Sequence, residues 1–270
     1  MTDTPVPDAS RAGTVAWISI APVKSLALVA LDRAELTLQG VPGDRAYGLV
    51  DDEDRLFNGK RCGELSAIRP VIDGGSTLAL HLPDGAVVSG AIELGAAVVA
   101  DVFGRPSPAR TVEGPWSDAL STYAGRPVRL VRFDDPAPDR GATVSILSSA
   151  ALDGLAEAAG AESIDPRRFR MTFGVDEIAA HAEDDWVGRR VRIGGAVVEV
   201  VGHVGRCAVT NLDPDTGLRD LGTLGLLRVT RRSVDATENL PFGVWGRVVT
   251  AGPVALGDPV APATRGGAGA

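Results

Sequence analysis

Cysteine and lysine are scarce in this 270-residue chain, and long apolar runs are missing from it. The only cysteines are Cys62 and Cys207, which excludes a disulfide framework and a four-cysteine iron–sulfur cluster. So few cysteines predict a reducing compartment such as the cytoplasm. No apolar stretch approaches the roughly 18 residues that a membrane-spanning helix needs, and the first residues do not have the pattern of a secretion signal. We therefore expect no membrane partner.

The charge balance is acidic, with a formal net charge of −8 at pH 7. A nucleic-acid-binding protein needs a dominant basic face, so we expect no nucleic-acid partner. Among the 27 basic residues only Lys24 and Lys60 are lysines, and the rest are arginines. The base composition of a gene produces such a bias. The two remaining lysines then hint at positions where a compact ammonium group serves better than a planar guanidinium.

The pattern of apolar residues predicts a β-rich α+β protein. Segments such as TVAWISIA and STLALHL alternate between apolar and polar residues, as half-buried strands do. Helices are predicted for PWSDALSTYAG, ending at Gly125, and for SSAALDGLAEAAG, with Ser148 or Ser149 as N-cap and Gly160 after the last turn. RFRMTFGV and RRVRIGGAVVEVVG are predicted as strands, the second with a Gly-Gly turn inside it.

The best candidate for a linker is FDDPAPDRG, which is rich in proline and aspartate. It divides the chain into two barrel-like lobes. The predicted organisation is a disordered tail over 1–12, a first β-barrel domain over 13–131, a linker over 132–142, a second β-barrel domain over 143–262 and a disordered tail over 263–270.

Two common metal sites are excluded by residue spacing. An EF-hand calcium loop needs glycine at its sixth position and glutamate at its twelfth. Counted from Asp213, the DPDTG stretch has Gly217 fifth and Leu224 twelfth, so it does not fit. A zinc site would have only His203 and Cys207 close together in sequence, and two ligands do not hold zinc.

Three small groups of polar residues remain as candidates. The first comprises Lys24 and Ser25 after an apolar strand, followed by Arg45 in GDRAYG. Such residues at loop positions hold phosphate groups through charge-assisted hydrogen bonds, although a solvated strand end would have the same composition. The second group is DPRRFRMTF, in which strand alternation puts Arg168 and Arg170 on one face. An ordinary ionic surface explains it equally well.

The third group is RCAVTNLDPDTG, where Arg206 precedes Cys207. A neighbouring guanidinium favours the thiolate form of cysteine, which attacks electrophiles and binds soft metals. The DPDTG stretch is a turn by composition and would fix the strand that carries the thiol. A single cysteine is also common as a small buried apolar residue, and that alternative stays open here.

Taken in order, PVKS, DRAYGLVD, RFR, EDDW, RC…DPDTG and FGVWGRVVTAGPVALGDPV resemble the MOSC proteins, named for the C-terminal domain of molybdenum cofactor sulfurase. The likeness covers residues 13 to 262. The first half is similar to the β-barrel domain that precedes MOSC in the amidoxime-reducing group. The resemblance implies a molybdenum cofactor, Mo-molybdopterin, bound in a cleft between the two lobes.

The resemblance also implies roles for individual residues. Cys207 would be the protein thiolate on molybdenum and the catalytic residue, while Lys24, Ser25 and Arg45 would hold the pterin phosphate. Arg170 would contact the cofactor from the second lobe. Further cofactor contacts are implied for a set of polar residues at matching positions, namely Lys60, Ser148, Ser149, Thr172 and Arg206.

The chain departs from the pattern of the amidoxime-reducing group at several positions. Met171 and Thr172 replace a Pro-Asn pair, Gly205 stands where serine is common, and Ser148-Ser149 replaces a Thr-Asp pair. Each change removes or exchanges a polar contact to the cofactor. These differences bear on substrate and activity more than on cofactor binding.

Three functions follow as hypotheses. In the first, the protein is a molybdenum oxidoreductase that reduces small N-hydroxylated substrates with electrons from an external reductase or ferredoxin-type donor. In the second, it is a sulfur carrier, or it sulfurates or delivers the cofactor through Cys207. In the third, it binds the pterin without catalysis. The physiological substrate, the donor, the oligomeric state and the role of Cys62 are left open by the sequence.

Overall fold

The computed structural model describes residues 13–135 and 143–263. The predicted tails, apart from residue 263, and residues 136–142 of the predicted linker lie outside the described residues. The strands are, in chain order, β1 (Gly13–Ile20), β2 (Val29–Leu31), β3 (Arg33–Leu36), β4 (Tyr47–Val50), β5 (Leu56–Phe57), β6 (Arg69–Asp73), β7 (Thr77–His81), β8 (Val87–Ala91), β9 (Glu93–Asp101), β10 (Pro106–Glu113), β11 (Arg129–Phe133), β12 (Thr143–Ser148), β13 (Phe173–Asp176), β14 (Arg190–Ile193), β15 (Ala196–Gly205), β16 (Pro241–Thr250), β17 (Gly252–Ala255) and β18 (Pro259–Pro262).

Helices contribute less of the described chain than strands do. The α-helices are α1 (Trp116–Ala124), α2 (Ser149–Ala159) and α3 (Thr223–Thr230). Short 3-10 helices are formed by Gly63–Ala67, Pro166–Phe169, Ala182–Trp186 and Ala208–Asn211. The predicted β-rich α+β class is confirmed. Among the described residues, no helix has the length and apolar character needed to span a membrane.

Seven strands close into a barrel in the order β13-β12-β16-β15-β14-β18-β1, because β1 also pairs with β13. Strand β2 continues the sheet beyond β1. The barrel core is a single apolar cluster in which Ile18, Phe173 and Val244 are among the buried residues. Strand β1 comes from the range predicted as the first domain, yet it closes a barrel built mainly from residues after 142. The boundary at 132–142 stays a prediction, since alternation within a strand does not reveal its partner.

Strands β3 and β17 pair with each other and pack on the barrel core, whereas the other strands form a second part of the fold. One sheet has the order β5-β4-β11-β10-β9, and a three-stranded sheet has the order β6-β7-β8. Helix α1 packs here through Trp116, which is fully buried and donates from Nε1 to the carbonyl oxygen of Leu78 at 3.2 Å. A buried tryptophan with its N–H satisfied fixes the helix against the sheet both sterically and by hydrogen bonding.

The predicted helix ends are confirmed. Helix α1 ends before Gly125 and α2 before Gly160, and both glycines adopt the left-handed conformation, with φ of 65° and 64°. Glycine is common at this position because it lacks the Cβ that makes the conformation costly for other residues. Ser148 is the N-cap of α2, but its side chain makes no capping hydrogen bond. Its Oγ instead accepts from the backbone N–H of His181 at 3.1 Å.

The predicted strand RFRMTFGV is wrong in its first half. Strand β13 begins only at Phe173, and Pro166–Phe169 forms a 3-10 helix whose first turn is supported by a hydrogen bond from the Arg167 N–H to Asp165. Proline at the first helical position and aspartate before it favour a turn over a strand. Arg170 follows with φ of 53°, so the alternation argument that placed Arg168 and Arg170 on one face does not apply.

Two backbones touch where a loop of the first half meets the DPDTG turn. Gly217 has φ of 70°, and a Cβ added to it would lie 2.2 Å from the carbonyl oxygen of Gly63. A Cβ on Gly63 would lie 2.4 Å from the carbonyl oxygen of Gly217. Both positions therefore require glycine for close approach.

Replacing Gly217 with alanine tests this contact. We expect Gly217→Ala to lower the free energy of unfolding by about 2–4 kcal/mol, because it adds a backbone clash to a strained φ. Urea denaturation of the purified protein measures the effect. Gly154→Ala is the matched control: Gly154 lies within α2 with open space around its Cβ position, and alanine there stabilises by about 1 kcal/mol. Equal stability of Gly217→Ala and the unmodified chain would contradict the contact.

Candidate functional site

A cavity of about 830 Å³ lies between the barrel and the sheets of the first half. Eight of the ten predicted site residues line it, namely Lys24, Ser25, Arg45, Lys60, Arg170, Thr172, Arg206 and Cys207. Ser148 and Ser149 are not among the lining residues. Ser148 is fully buried, and its backbone N–H donates to the buried carboxylate of Glu183 at 3.2 Å.

The PVKS turn supplies the first cation of the cavity. The backbone N–H of Lys24 donates to the carbonyl oxygen of Tyr47 at 2.8 Å, and Leu26 is fully buried, so the turn is fixed at both ends. Ser25 has φ of 77°. Its Oγ accepts from the N–H of Gly59 at 3.2 Å, which leaves the hydroxyl hydrogen for donation. This turn therefore offers an ammonium group and a hydroxyl donor to an anion.

Arg45 and Arg170 lie next to each other on the cavity wall. Arg45 pairs with the buried carboxylate of Asp44 and donates from Nη2 to the carbonyl oxygen of Arg170 at 3.2 Å. Arg170 donates from Nη2 to the carbonyl oxygen of Leu26 at 2.8 Å. Burial, and secondly the Arg45 guanidinium, lower the pKa of Arg170 to about 10. An anion placed between these groups would relieve both the repulsion and the lost solvation.

The other two arginines of the DPRRFRMTF group hold the DPDTG turn. Arg167 donates to both carboxylate oxygens of Asp215 at 2.7 Å, and these bonds are the main cause of its raised pKa. Arg168 donates to the carbonyl oxygen of Leu212 at 2.8 Å and to Asp220 at 2.7 Å. The ionic interpretation thus applies to the guanidinium groups of Arg167 and Arg168, although both residues line the cavity as Arg170 does.

Cys207 is half-buried and unpaired, and it lines the cavity just after β15. Its carbonyl oxygen accepts from the backbone N–H of Thr210 at 3.1 Å and from the Thr210 hydroxyl at 3.0 Å. These bonds form the start of the 3-10 helix Ala208–Asn211. A thiol on an accessible wall with a fixed backbone is suited to act as a ligand or nucleophile rather than as core filler.

The guanidinium of Arg206 stabilises the rim of the barrel. It donates to the carbonyl oxygens of Phe169 at 2.8 Å and Phe242 at 3.0 Å, and to the sulfur of Met171 at 2.9 Å. It also lies over the Phe169 ring, 5.2 Å from the centroid. The predicted contact of Arg206 with a cofactor stays a prediction, since these protein groups occupy much of its hydrogen-bonding capacity.

Two of the positions that depart from the family pattern have clear structural partners. The Thr172 hydroxyl accepts from the N–H of Ser145 at 3.2 Å, and Ser145 Oγ accepts from the N–H of Thr172 at 3.0 Å. A Cβ on Gly205 would lie 3.0 Å from the Cβ and 3.1 Å from Oε2 of Glu238. Glu238 therefore fills the space beside Gly205 and lines the cavity.

Sequence reasoning missed several lining residues, among them Phe103, Arg105, Glu238 and Trp245. Phe103 and Arg105 lie in the turn between β9 and β10, and nothing in VFGRPSP distinguishes it from any other turn. Trp245 lies opposite Ser145 in the β12–β16 pairing, which only the sheet register reveals.

The described residues contain no cluster of three or more His, Cys, Asp or Glu side chains that could hold a metal ion. A metal at Cys207 would therefore need most of its ligands from a bound cofactor. The donor set of the cavity fits a group of that kind, because it combines one thiol with ammonium and guanidinium groups suited to a phosphate.

Buried Asp51 fixes the loop that carries Lys60. Its carboxylate accepts from Arg61 Nη1 at 2.7 Å and from the N–H groups of Arg55 at 3.0 Å and Glu53 at 3.1 Å. Burial alone would raise the pKa of Asp51, but these hydrogen bonds outweigh it and lower the pKa to about 2. A lowered pKa stabilises the fold above the unfolded-state pKa, and this contribution is lost as the pH falls towards 2.

The acid dependence of stability tests the Asp51 interactions. At pH 7 we expect Asp51→Asn to lower the free energy of unfolding by about 2 kcal/mol. The difference from the unmodified chain should shrink as the pH falls from about 4 to 2. Urea denaturation across this range measures it, with the exposed neighbour in Asp52→Asn as the control. A difference that stays constant with pH would show that the Asp51 charge is not responsible.

Comparison with known families gives two matches along the chain. A MOSC domain matches residues 132–261, and a MOSC N-terminal beta barrel domain matches residues 12–113. The chain is similar to mitochondrial amidoxime-reducing component 1 of Xenopus laevis, with 26% identity covering 96% of this chain and 85% of the relative. The same component of Danio rerio is 24% identical, covering 93% and 85%.

Among solved structures, the YuaD protein from Bacillus subtilis aligns over 93% of this chain and 94% of its own, with 13% identity and a TM-score of 0.43. The two domain matches are consecutive and together span most of the chain. The chain therefore belongs to the MOSC-domain proteins that carry a MOSC N-terminal β-barrel domain ahead of the MOSC domain.

Proposed function

We propose that this protein is an oxidoreductase that binds a molybdenum cofactor, Mo-molybdopterin, in the cavity and reduces small N-hydroxylated substrates. The observation that carries the proposal is the convergence of one accessible thiol, Cys207, with cations from both halves of the chain on a single cavity. The names of the relatives, amidoxime-reducing components, agree with this reaction class.

The proposed cofactor contacts use groups with matching chemistry. Lys24, Ser25 and Arg45 hold the phosphate of the pterin, because ammonium, hydroxyl and guanidinium groups form strong hydrogen bonds to phosphate oxygens. Arg170 adds a second guanidinium from the other half. Cys207 provides a thiolate, a soft ligand suited to molybdenum. When bound, the cofactor supplies two-electron redox chemistry that the side chains themselves lack.

Reduction of an N-hydroxyl group consumes two electrons and two protons, breaks the N–O bond and releases water. The residues of this chain bind and orient the substrate beside Cys207. The two cysteines of the chain cannot hold a four-cysteine iron–sulfur cluster, so electrons come from a separate donor protein. Two unpaired cysteines are also consistent with the reducing, cytoplasmic location proposed from the sequence.

A second candidate function retains the site and changes the chemistry. Cys207 is an unpaired thiol that lines an accessible cavity, so it can carry sulfur as a persulfide. Mass spectrometry distinguishes the two functions. A mass increase of about 32 Da, one sulfur atom, on Cys207 in protein without molybdenum supports sulfur transfer.

The replacements at Thr172 and Gly205 motivate a third candidate function, in which the protein binds the pterin without catalysis. Stoichiometric binding of the cofactor, with no reduction of any N-hydroxylated compound, would support this role.

Removal of the thiol tests the metal-ligand assignment. In protein produced by a host that makes the cofactor, we expect Cys207→Ala to lower the molybdenum content by about tenfold or more, since a direct ligand is lost. Elemental analysis after gel filtration measures it. Cys62→Ala is the matched control and keeps its molybdenum, because Cys62 is not among the cavity-lining residues. Equal molybdenum in Cys207→Ala and the unmodified protein removes the assignment.

The need for an external donor gives a second test. Purified protein should reduce benzamidoxime with a chemical reductant such as dithionite-reduced methyl viologen, and the rate with NADPH alone should be at background. Product formation is followed by chromatography, with Cys207→Ala as the catalytically inactive control. Reduction driven by NADPH without any added protein would refute the separate-donor scheme.

A further inference from the structure

The two lysines of the chain converge on one aromatic ring. The Lys24 ammonium lies 5.5 Å and the Lys60 ammonium 5.8 Å from the centroid of Phe103, and all three residues line the cavity. They come from three separate segments: the PVKS turn, the loop after β5 and the turn between β9 and β10. Ammonium groups within about 6 Å of an aromatic centroid are attracted by the ring quadrupole.

Phe103 does not have the environment of a structural phenylalanine. Its relative exposure is 56%, and its φ is 56°, a left-handed conformation that is costly for a bulky residue. The exposed part of the ring adds no burial to a hydrophobic core, and the backbone strain at Phe103 costs about 1 kcal/mol or more. Both features are unfavourable for folding alone, so they indicate that the ring serves the cavity.

Phe57 provides an internal comparison. Its ring also has two cations near it, Arg61 at 5.0 Å and Arg126 at 5.5 Å from the centroid, but Phe57 is buried in the core of the first half. There the planar guanidinium groups pack on a structural ring. At Phe103 the cations are lysines, whose compact ammonium groups have three rotatable donors that can turn towards an anion.

The Lys60 loop is held in place by its neighbours. The Lys60 N–H donates to Asn58 Oδ1 at 3.0 Å, and Arg61 pairs with buried Asp51 at 2.7 Å. Because the loop backbone is fixed, the contacts of the Lys60 ammonium group decide where this long side chain places its charge. Two like charges beside one ring repel each other, and the negative ring face offsets part of that repulsion.

From these observations we infer that Phe103 is a positioning residue, which holds the ammonium groups of Lys24 and Lys60 in the cavity as a pair that binds a multiply charged phosphate-type anion. The inference rests on the proposed function only for naming that anion as the pterin phosphate. The paired-lysine site itself follows from the distances, the exposure and the backbone conformation of Phe103.

Binding of inorganic pyrophosphate to the full chain, produced in a host that lacks the cofactor, tests the role of the ring by titration calorimetry. We expect Phe103→Leu to weaken binding about three- to tenfold, because two cation–π contacts are lost while size and backbone conformation are kept. Phe103→Tyr retains the ring and should bind as the unmodified chain does. Val99→Ala, which truncates an exposed residue of the same hairpin, is the matched control.

A double-mutant cycle isolates the coupling between ring and lysine. Lys60→Gln should weaken pyrophosphate binding more in the unmodified chain than in the Phe103→Leu background, because the ring positions the ammonium group. Equal effects in both backgrounds, equal losses in the Leu and Tyr variants, or no pyrophosphate binding by the unmodified chain would each overturn the inference. Thermal unfolding of every variant checks that the fold is retained.

The pyrophosphate test and the molybdenum test of the proposed function can fail independently of each other. Ring-dependent pyrophosphate binding in a protein that never acquires molybdenum supports the lysine pair and refutes the molybdenum proposal. Normal molybdenum content together with ring-independent pyrophosphate binding does the reverse.

Discussion

The cavity depends on two guanidinium groups being held side by side. Arg45 donates to the carbonyl oxygen of Arg170, and Arg170 donates to the carbonyl oxygen of Leu26, so each cation is tied to backbone in the other part of the fold. Burial and the neighbouring Arg45 lower the pKa of Arg170, and the Asp44 carboxylate only partly counteracts this effect on the Arg170 pKa. The proposed binding of a phosphate at this site would compensate these positive charges, even though the whole chain has a net charge of −8.

Contacts beside the cavity fix the position of the Cys207 thiol relative to Arg45 and Arg170. Gly63 and Gly217 bring a loop of the first half against the DPDTG turn. From the 3-10 helix preceding Arg170, Arg167 binds Asp215 within that turn, and Arg168 binds Leu212 and Asp220 on either side of it. In the sequence, Cys207 lies between the end of β15 and the DPDTG turn. The charged residues around the turn therefore have structural roles, which leaves a smaller set of groups to contact a ligand.

Much of this arrangement can be predicted from the chain alone, with instructive exceptions. Helix ends at Gly125 and Gly160 follow from local backbone preference, and the β-rich class follows from alternation. The strand predicted through Arg170 failed because Asp165 and Pro166 favour a 3-10 turn. Phe103 escaped notice because its importance comes from lysines more than 40 residues away in sequence, which no local pattern records.

The sequence by itself determined the β-rich class, the helix limits and the residue types available for chemistry, because propensity, capping and alternation act over a few neighbouring residues. Only the tertiary structure decided which of those residues share a cavity. It placed β1 in the barrel formed mainly by the later strands, brought Phe103 within about 6 Å of the Lys24 and Lys60 ammonium groups, and put the Arg170 guanidinium next to Arg45 on the cavity wall. These features depend on strand pairing and contacts between segments that are distant in the sequence. The entropy cost of closing the loops between such segments is offset by burial and hydrogen bonding.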